Sequence, residues 1–401
     1  MMRAVICGAG IAGLALANRL ATAGWTVVVL ERSPGPRTQG YMIDFFGPGY
    51  DAAEAMGIAP RLHELGHHVH EVAFVGADGR PRGRLRYDRF ADVVGGRLIN
   101  IMRPDLELAL REDLPAAVRV RYGSTPVRVD DTGTDGVRVV LADGETLTAD
   151  LLVGADGIHS RVRAMVFGPE RDHLRHLGFH TAAYSFTDPA LSARMRGRFH
   201  LTDTIDRQMG LYGLRHDRVA VFAVHRTDDP VLPEDPGAAL RAEYGSLGWV
   251  VPDALASCPP ADEVYLDHVA QIVMPSWHRG RVVLVGDASS AVSLLAGQGA
   301  SLSVAGAFVL AEQLHRAPTV GAALTRYEQL WRPVVEEKQQ VARSAVRWFL
   351  PRGPVDLWAR RGMLALSRVP GLDRVIGHGL VGKTTTVVTE LRRQPTRLAI
   401  V

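Results

Sequence analysis

Near the N-terminus, Gly8-Ala9-Gly10-Ile11-Ala12-Gly13 interrupts an otherwise apolar stretch. Ala4 to Cys7 form a short apolar run before it; Ile11 to Ala23 then carries apolar residues at helical spacing, and Thr26 to Leu30 is a second apolar run. The order is strand, helix, strand, over about thirty residues, the length of a βαβ crossover. Each glycine has its own steric task. Gly8 permits a tight turn, Gly10 lets a diphosphate approach the backbone, and Gly13 brings helix and strand together. Ile11 and Ala12 open a helix whose N-terminus faces the anion. Glu31, at the end of the second strand and eighteen residues beyond Gly13, is placed to accept hydrogen bonds from a ribose and to disfavour a 2′-phosphate. A glycine loop between two strands, with an acid at that distance, points to a bound dinucleotide, NAD or FAD.

Composition narrows the class. Of 401 residues, 47% are apolar and 22% charged, with a net charge of +3. These values exclude disorder and collagen-like repetition, and the length suits two domains of ~100 to 200 residues each. All but Lys338 and Lys383 of the 46 basic residues are arginine, interleaved with 43 acids. Such scatter makes no phosphate-binding stripe, so no nucleic-acid partner is expected. Arg3 before an apolar stretch reaching Ala17 has the outline of a secretory leader, but the glycines within it belong to the fold. Two cysteines, Cys7 and Cys258, cannot staple such a chain and fit a reducing compartment. A retained N-terminus and a cytoplasmic location are expected. No run approaches the ~18 apolar residues of a membrane-spanning helix.

Further strand candidates are Val118–Tyr122, Val137–Leu141, Leu151–Val153 and Val282–Val285, and a long helix pattern covers Gly299–Leu314. Strands alternating with helices predict a mostly parallel sheet. Two stretches differ. Val72–Tyr87 alternates around the turn Ala77-Asp78-Gly79-Arg80, and Ala182–Phe186, Arg198–Thr202, Met209–Leu214 and Arg218–His225 read as antiparallel strands. The expected fold class is therefore α/β: a Rossmann-like domain in three parts (1–71, 99–171, 273–326), an inserted antiparallel β-sheet substrate domain in two (72–98, 172–272), and a C-terminal helical region (327–401). Pro333, Pro351, Pro354 and Pro370 should divide that last region into short pieces.

Leu151-Leu152-Val153-Gly154-Ala155-Asp156-Gly157 and Val282-Val283-Leu284-Val285-Gly286-Asp287-Ala288 are both apolar strands that end in glycine and present an aspartate. Ligands bind at that end of strands in such sheets, although an aspartate there is also a common helix cap. The second continues through Gly297-Gln298-Gly299-Ala300 into the long helix, so another N-terminus of small residues can meet a ligand.

On these residues the sequence resembles the FAD-dependent monooxygenases of the para-hydroxybenzoate hydroxylase type, including tetracycline-inactivating members. The resemblance covers about residues 3–330. It rests on the glycine fingerprint with Glu31-Arg32, on Arg103 in Met102-Arg103-Pro104-Asp105-Leu106, on Gly154-Ala155-Asp156-Gly157-Ile158-His159-Ser160-Arg161, and on Gly286-Asp287 with Gly297-Gln298-Gly299. It implies FAD as cofactor, with Asp287 on the ribityl or ribose hydroxyls and Gly297 to Ala300 supplying backbone donors near the pyrimidine ring. Arg103 would lie along the cofactor chain, and Arg37 and Asp44 would flank the isoalloxazine or an incoming nicotinamide. It further implies that NADH or NADPH, docking transiently, reduces FAD, that oxygen adds at C4a, and that the hydroperoxide oxygenates a hydrophobic aromatic or polycyclic molecule. Secondary metabolism, such as antibiotic biosynthesis, is the implied setting.

The chain departs from the family pattern in two places. Ser289-Ser290-Ala291-Val292-Ser293-Leu294 replaces a stretch with alanine, histidine and two prolines, and Gly306 replaces a common aspartate. Losing proline at Leu294 removes a rigid wall beside the flavin, which leaves open a cyclase using FAD without redox, or a reductase of a prenyl-type lipid. Trp249, Trp277 and Trp331 are isolated, unlike the paired tryptophans of flavin halogenases. No catalytic base is assigned: His180, His200, His216 and His225 share the inserted sheet with nothing to choose among them. Gly377 to Thr384 satisfies GxxxxGK[ST], but proline-broken sequence precedes it and seventeen residues follow, so it reads as a chance match. Trp348, Phe349 and Trp358, among Arg343, Arg347, Arg352, Arg360 and Arg361, read as helices closing over the cavity or the flavin domain in preference to a membrane-touching face.

Overall fold

The computed structural model describes residues 1–131, 136–293, 297–366 and 383–394. Arg3–Cys7 lies inside a six-stranded sheet with the order His278–Arg279, Val282–Leu284, Leu151–Gly154, Arg3–Cys7, Thr26–Leu30, Arg119–Arg121. All pairings are parallel except the short hairpin at the His278–Arg279 edge. Ala4 to Cys7 and Leu151 to Gly154 are buried without alternation. That pattern marks a parallel sheet covered on both faces, and it is why these strands were legible as plain apolar runs. The helix Ile11–Thr22 packs on the helix Gly299–Arg316 and is apolar nearly all round.

The inserted sheet has seven strands, in the order Tyr265–Ile272, Leu174–Thr187, Arg218–Arg226, Arg207–Gly213, Arg198–Thr202, Glu71–Val75, Pro81–Arg86. It is not wholly antiparallel: Arg198–Thr202 and Glu71–Val75 pair in parallel, because a hairpin from far upstream joins the edge. Val137–Leu141 also departs from expectation. It is the middle strand of a three-stranded antiparallel sheet between Thr146–Ala149 and Pro126–Asp131. Its Val137, Val139 and Leu141 alternate inward, so its apolar content comes from one buried face. Met42–Phe46 and Leu98–Met102 pair antiparallel and set Asp44 opposite Asn100. The expected division at 98/99 therefore falls inside a strand.

At the C-terminus, one helix of 30 residues, Val320–Phe349, runs through Pro333 and across the expected division at 326/327. Gln329, whose carbonyl Pro333 deprives of its helical donor, is exposed to water, while Tyr327, Trp331 and Val335 bury the opposite face. The helix Pro354–Leu366 docks on the inserted sheet: Arg360 and Arg361 both reach the buried carboxylate of Asp203 at 2.6 Å. Those two arginines thus belong to an internal contact, not to a basic outer face. Among the described residues no helix is long and apolar enough to cross a membrane. The side chains of Arg347, Trp348 and Phe349, as well as Leu294, Pro370 and the segment 377–382, lie outside the described residues.

Candidate active site

The C-terminal ends of the parallel strands open into a cavity of about 590 Å³ that continues beneath the inserted sheet. Its walls include Gly8, Gly10, Ile11, Ala12, Glu31, Arg32, Arg37, Asp44, Arg103, Asp156, Gly157, Asp287, Gly297, Gly299 and Ala300. Gly13 is the one residue of the sequence-derived set that does not line it. A Cβ there would sit 1.9 Å from the Gly8 carbonyl oxygen, so Gly13 sets how closely the turn meets its helix. Gly8 has a φ of 110°, and a Cβ on it would lie 2.3 Å from the Ala155 carbonyl oxygen. Gly10 differs. A methyl there meets nothing nearer than Glu107 Oε1 at 3.8 Å, so the need for glycine comes from the cavity side. Glu31 accepts hydrogen bonds from the backbone N–H of Ala9 and of Ser33, both at 2.9 Å. Its carboxylate pins the loop to the second strand, and its remaining lone pairs are available to a ribose.

The two strand-end aspartates have separate fates. Asp156 accepts from the Ser160 hydroxyl, from Arg161 N–H at 2.7 Å and from Val162 N–H at 3.1 Å, which makes it a cap of the helix Arg161–Val166. Asp287 has no such engagement among the described residues. Burial raises its pKa from the ordinary 3.8, with Arg103 pulling the other way. Gly286, with a φ of 63°, has no room for a Cβ, which would come 2.8 Å from Ala12 Cβ, and so seats Asp287 beside the first helix. Arg103 opens the helix Arg103–Glu112 and contacts Glu107 at 3.3 Å. Sequence reasoning missed Arg163, which is fully buried and donates to the carbonyls of Ala288 at 3.0 Å and Ile158 at 2.6 Å. It thereby ties the two aspartate loops together.

Beyond Asp287 the walls become aromatic. The Tyr41 ring lies 6.0 Å from Phe222 and 5.7 Å from Tyr265, and Tyr212 meets Phe199 edge-on at 5.2 Å. Burial pushes the Tyr41 phenol up to about 12, so it stays neutral. Asp44 accepts from Asn100 Nδ2 at 2.7 Å; burial raises its pKa, and hydrogen bonds from Tyr87 and Asn100 oppose that. None of His180, His200, His216 and His225 lines the cavity; the histidines that do are His159 and His268.

Both departures from the family pattern have local explanations. Gln339 donates to the carbonyls of Ala291 and Ile272 at 2.9 Å, and Gln271 donates to the Val292 carbonyl at 3.1 Å and the Gln339 carbonyl at 2.9 Å. Paired amides clasp the loop where prolines would otherwise stiffen it. At Gly306, a Cβ would come 2.7 Å from Trp331 Nε1, so an aspartate cannot be seated while that indole is in place.

These features fit FAD: a glycine cradle with space on the cavity side, a half-buried carboxylate with no hydrogen-bond partner among the described residues, and a second helix N-terminus at Gly299 define a site for a dinucleotide with an aromatic compartment beyond it. Residues 1–344 match the family described as FAD binding domain. The chain belongs to that family and is an FAD-dependent oxidoreductase. Monooxygenase CTB7 of Cercospora beticola is 30% identical over 410 residues, covering 94% of each chain. The uncharacterized protein Rv1260 of Mycobacterium tuberculosis (strain ATCC 25618 / H37Rv) is 34% identical over 332 residues, 79% of this chain and 86% of its own. Among solved structures, the tetracycline destructase Tet(55) aligns with a TM-score of 0.79 at 26% identity, over 94% of this chain and 97% of that one.

Proposed function

We propose that this protein is a monooxygenase that uses NADH or NADPH and O2 to place one oxygen atom on a hydrophobic aromatic or polycyclic small molecule. The observation that carries this reading is one continuous cavity with dinucleotide-binding residues at one end and Tyr41, Tyr212 and Phe222 at the other. Bound FAD supplies the redox chemistry. The protein supplies the rest. Gly10 to Ala12 present backbone N–H groups and a helix N-terminus to the diphosphate, Glu31 and Asp287 accept from sugar hydroxyls, and Gly297 to Ala300 face the ring end. The aromatic walls orient a flat substrate by edge and face contacts. The seven-stranded sheet and the helix Val320–Phe349, the latter through Val341 and Ala342, supply walls of the cavity. Asp44 carries a pKa raised by burial, which brings it nearer the range of a general base for a phenolic proton. Two free thiols, Cys7 and Cys258, accord with a cytoplasmic setting.

The test is direct. Purified protein should carry FAD, and a panel of phenolic and polyketide ligands should include one that accelerates NAD(P)H oxidation and gains one oxygen atom from O2, read by product mass. Flavin-loaded protein that consumes neither NAD(P)H nor O2 with any of them would overturn the reading and point to non-redox use of the flavin.

A further inference from the structure

Three neighbouring strands carry a row of histidines. His180 pairs in register with His225 on one side and His268 on the other, and the rings stand 5.6 and 5.5 Å apart. At its His268 end the row reaches Asp267 and, from the loop after Asp156, His159. The ligand atoms of His159, Asp267 and His268 all lie within 4.8 Å of one another, and all three residues line the cavity.

The outer partners determine which nitrogens face inward. His268 Nε2 meets the Pro230 carbonyl oxygen, which can only accept, so that nitrogen carries the proton and Nδ1 presents a lone pair. His268 Nδ1 is buried without a hydrogen-bond partner and stands 3.6 Å from Asp267 Oδ1. His159 Nδ1 lies 3.0 and 3.1 Å from the two carboxylate oxygens of Glu170, again acceptors only, which leaves Nε2 facing Asp267 Oδ1 at 3.0 Å. A neutral imidazole lone pair and a carboxylate oxygen repel at that distance unless a cation lies between them. One proton serves His159 and Asp267, but a second on His268 Nδ1 would stand 3.6 Å from Asp267 Oδ1, beyond hydrogen-bond reach; a metal ion serves all three. Ligands ~2.0 to 2.2 Å from one ion are separated by roughly 3 to 3.6 Å in tetrahedral or octahedral sites, which brackets both measured separations from Asp267. A carboxylate or carbonyl behind each ligating histidine is also the usual outer support of a metal site. Asp267 Oδ2 accepts from the Tyr265 hydroxyl at 3.3 Å and Oδ1 from the His268 N–H at 2.7 Å, so the carboxylate is held in place.

We propose that His159, Asp267 and His268 bind a divalent transition-metal ion of the zinc or cobalt type, with the fourth position open to the cavity. Two imidazoles and one carboxylate select that class over calcium or magnesium. Three protein ligands leave one position for water or for an anionic oxygen of a cavity ligand. The site needs neither the redox reading above nor a particular substrate.

Chelator-treated, FAD-loaded protein would be titrated with Zn2+ by calorimetry, and with Cu2+ for electron paramagnetic resonance. One saturable ion per chain is expected, with hyperfine coupling from two imidazole nitrogens. His159→Ala and His268→Ala should each weaken Zn2+ binding by roughly tenfold to a hundredfold or more, whereas His225→Ala, in the same row but outside the ligand set, should not. Absent saturable binding, equal loss in His225→Ala, or a copper signal without two nitrogens in the wild-type protein would each overturn the assignment. The copper measurement needs no variant to fold.

Discussion

Replacing Asp287 should move two quantities in opposite directions. In the flavin-free protein its carboxylate lines the cavity half-buried, its pKa is raised from the ordinary 3.8 by desolvation, and attraction to Arg103 opposes that. A folded-state pKa raised above the unfolded one means that the group's contribution is fully present below about 3.8 and is lost as pH rises through the raised value. Each unit of that shift costs about 1.4 kcal/mol at neutral pH. Asp287→Asn keeps the shape and removes the charge, so the empty variant should melt above wild type at pH 7, and the gap should close as pH falls into the carboxylate range. Arg103 is not orphaned by the change, because Glu107 remains 3.3 Å away. Flavin binding goes the other way. Losing one or two charge-assisted hydrogen bonds at ~1.5 to 3 kcal/mol each lowers FAD affinity by about tenfold or more in Asp287→Ala. The Asn variant, whose side-chain carbonyl still accepts, should fall between. Thermal melts of flavin-free protein across pH and a fluorescence titration with FAD read both quantities. Wild-type affinity in Asp287→Ala, or an empty Asn variant that melts below wild type at neutral pH, would refute the reasoning.

Other changes probe separate parts of the site. Glu31→Ala removes the acceptor of the Ala9 and Ser33 N–H groups and should weaken FAD at its adenosine end; competition by AMP should weaken with it, while free riboflavin is unaffected. Gly306→Asp would force Trp331 aside, a cost of ~1 to 3 kcal/mol for overpacking, visible as a lowered melting temperature with the flavin spectrum retained. Lys383 makes its described contacts through its backbone, the N–H to Glu337 at 3.0 Å and the carbonyl to Lys338 at 2.6 Å. Lys383→Ala should therefore leave flavin content and turnover unchanged.

Features that depend on neighbours in the chain were readable in advance. The turn at Gly8, the close approach at Gly13 and the apolar strands of the parallel sheet follow from backbone sterics and two-sided burial within one supersecondary unit. Pairing partners were not readable. Val137–Leu141 and Leu151–Gly154 are both short apolar runs, yet one joins an antiparallel side sheet and the other the central parallel one, and the only local sign of the difference is Arg138 on the outer face of the first. Pro333 looked like a stop because its own residue forbids the hydrogen bond; burial of Trp331 and Tyr327 outweighed that loss.

The amino-acid order by itself determined the glycine turn and its close approach to strand and helix, since the required backbone shape is written in residues a few positions apart. The tertiary structure alone decided what the polar groups around it do. Asp156 and Asp287 end similar strands, but a following helix claims the first carboxylate and leaves the second to the cavity. His159 and Asp267, 108 positions apart, face each other at 3.0 Å only because one sheet's register and another sheet's loop meet there, a long-range coincidence of geometry that local propensity does not encode.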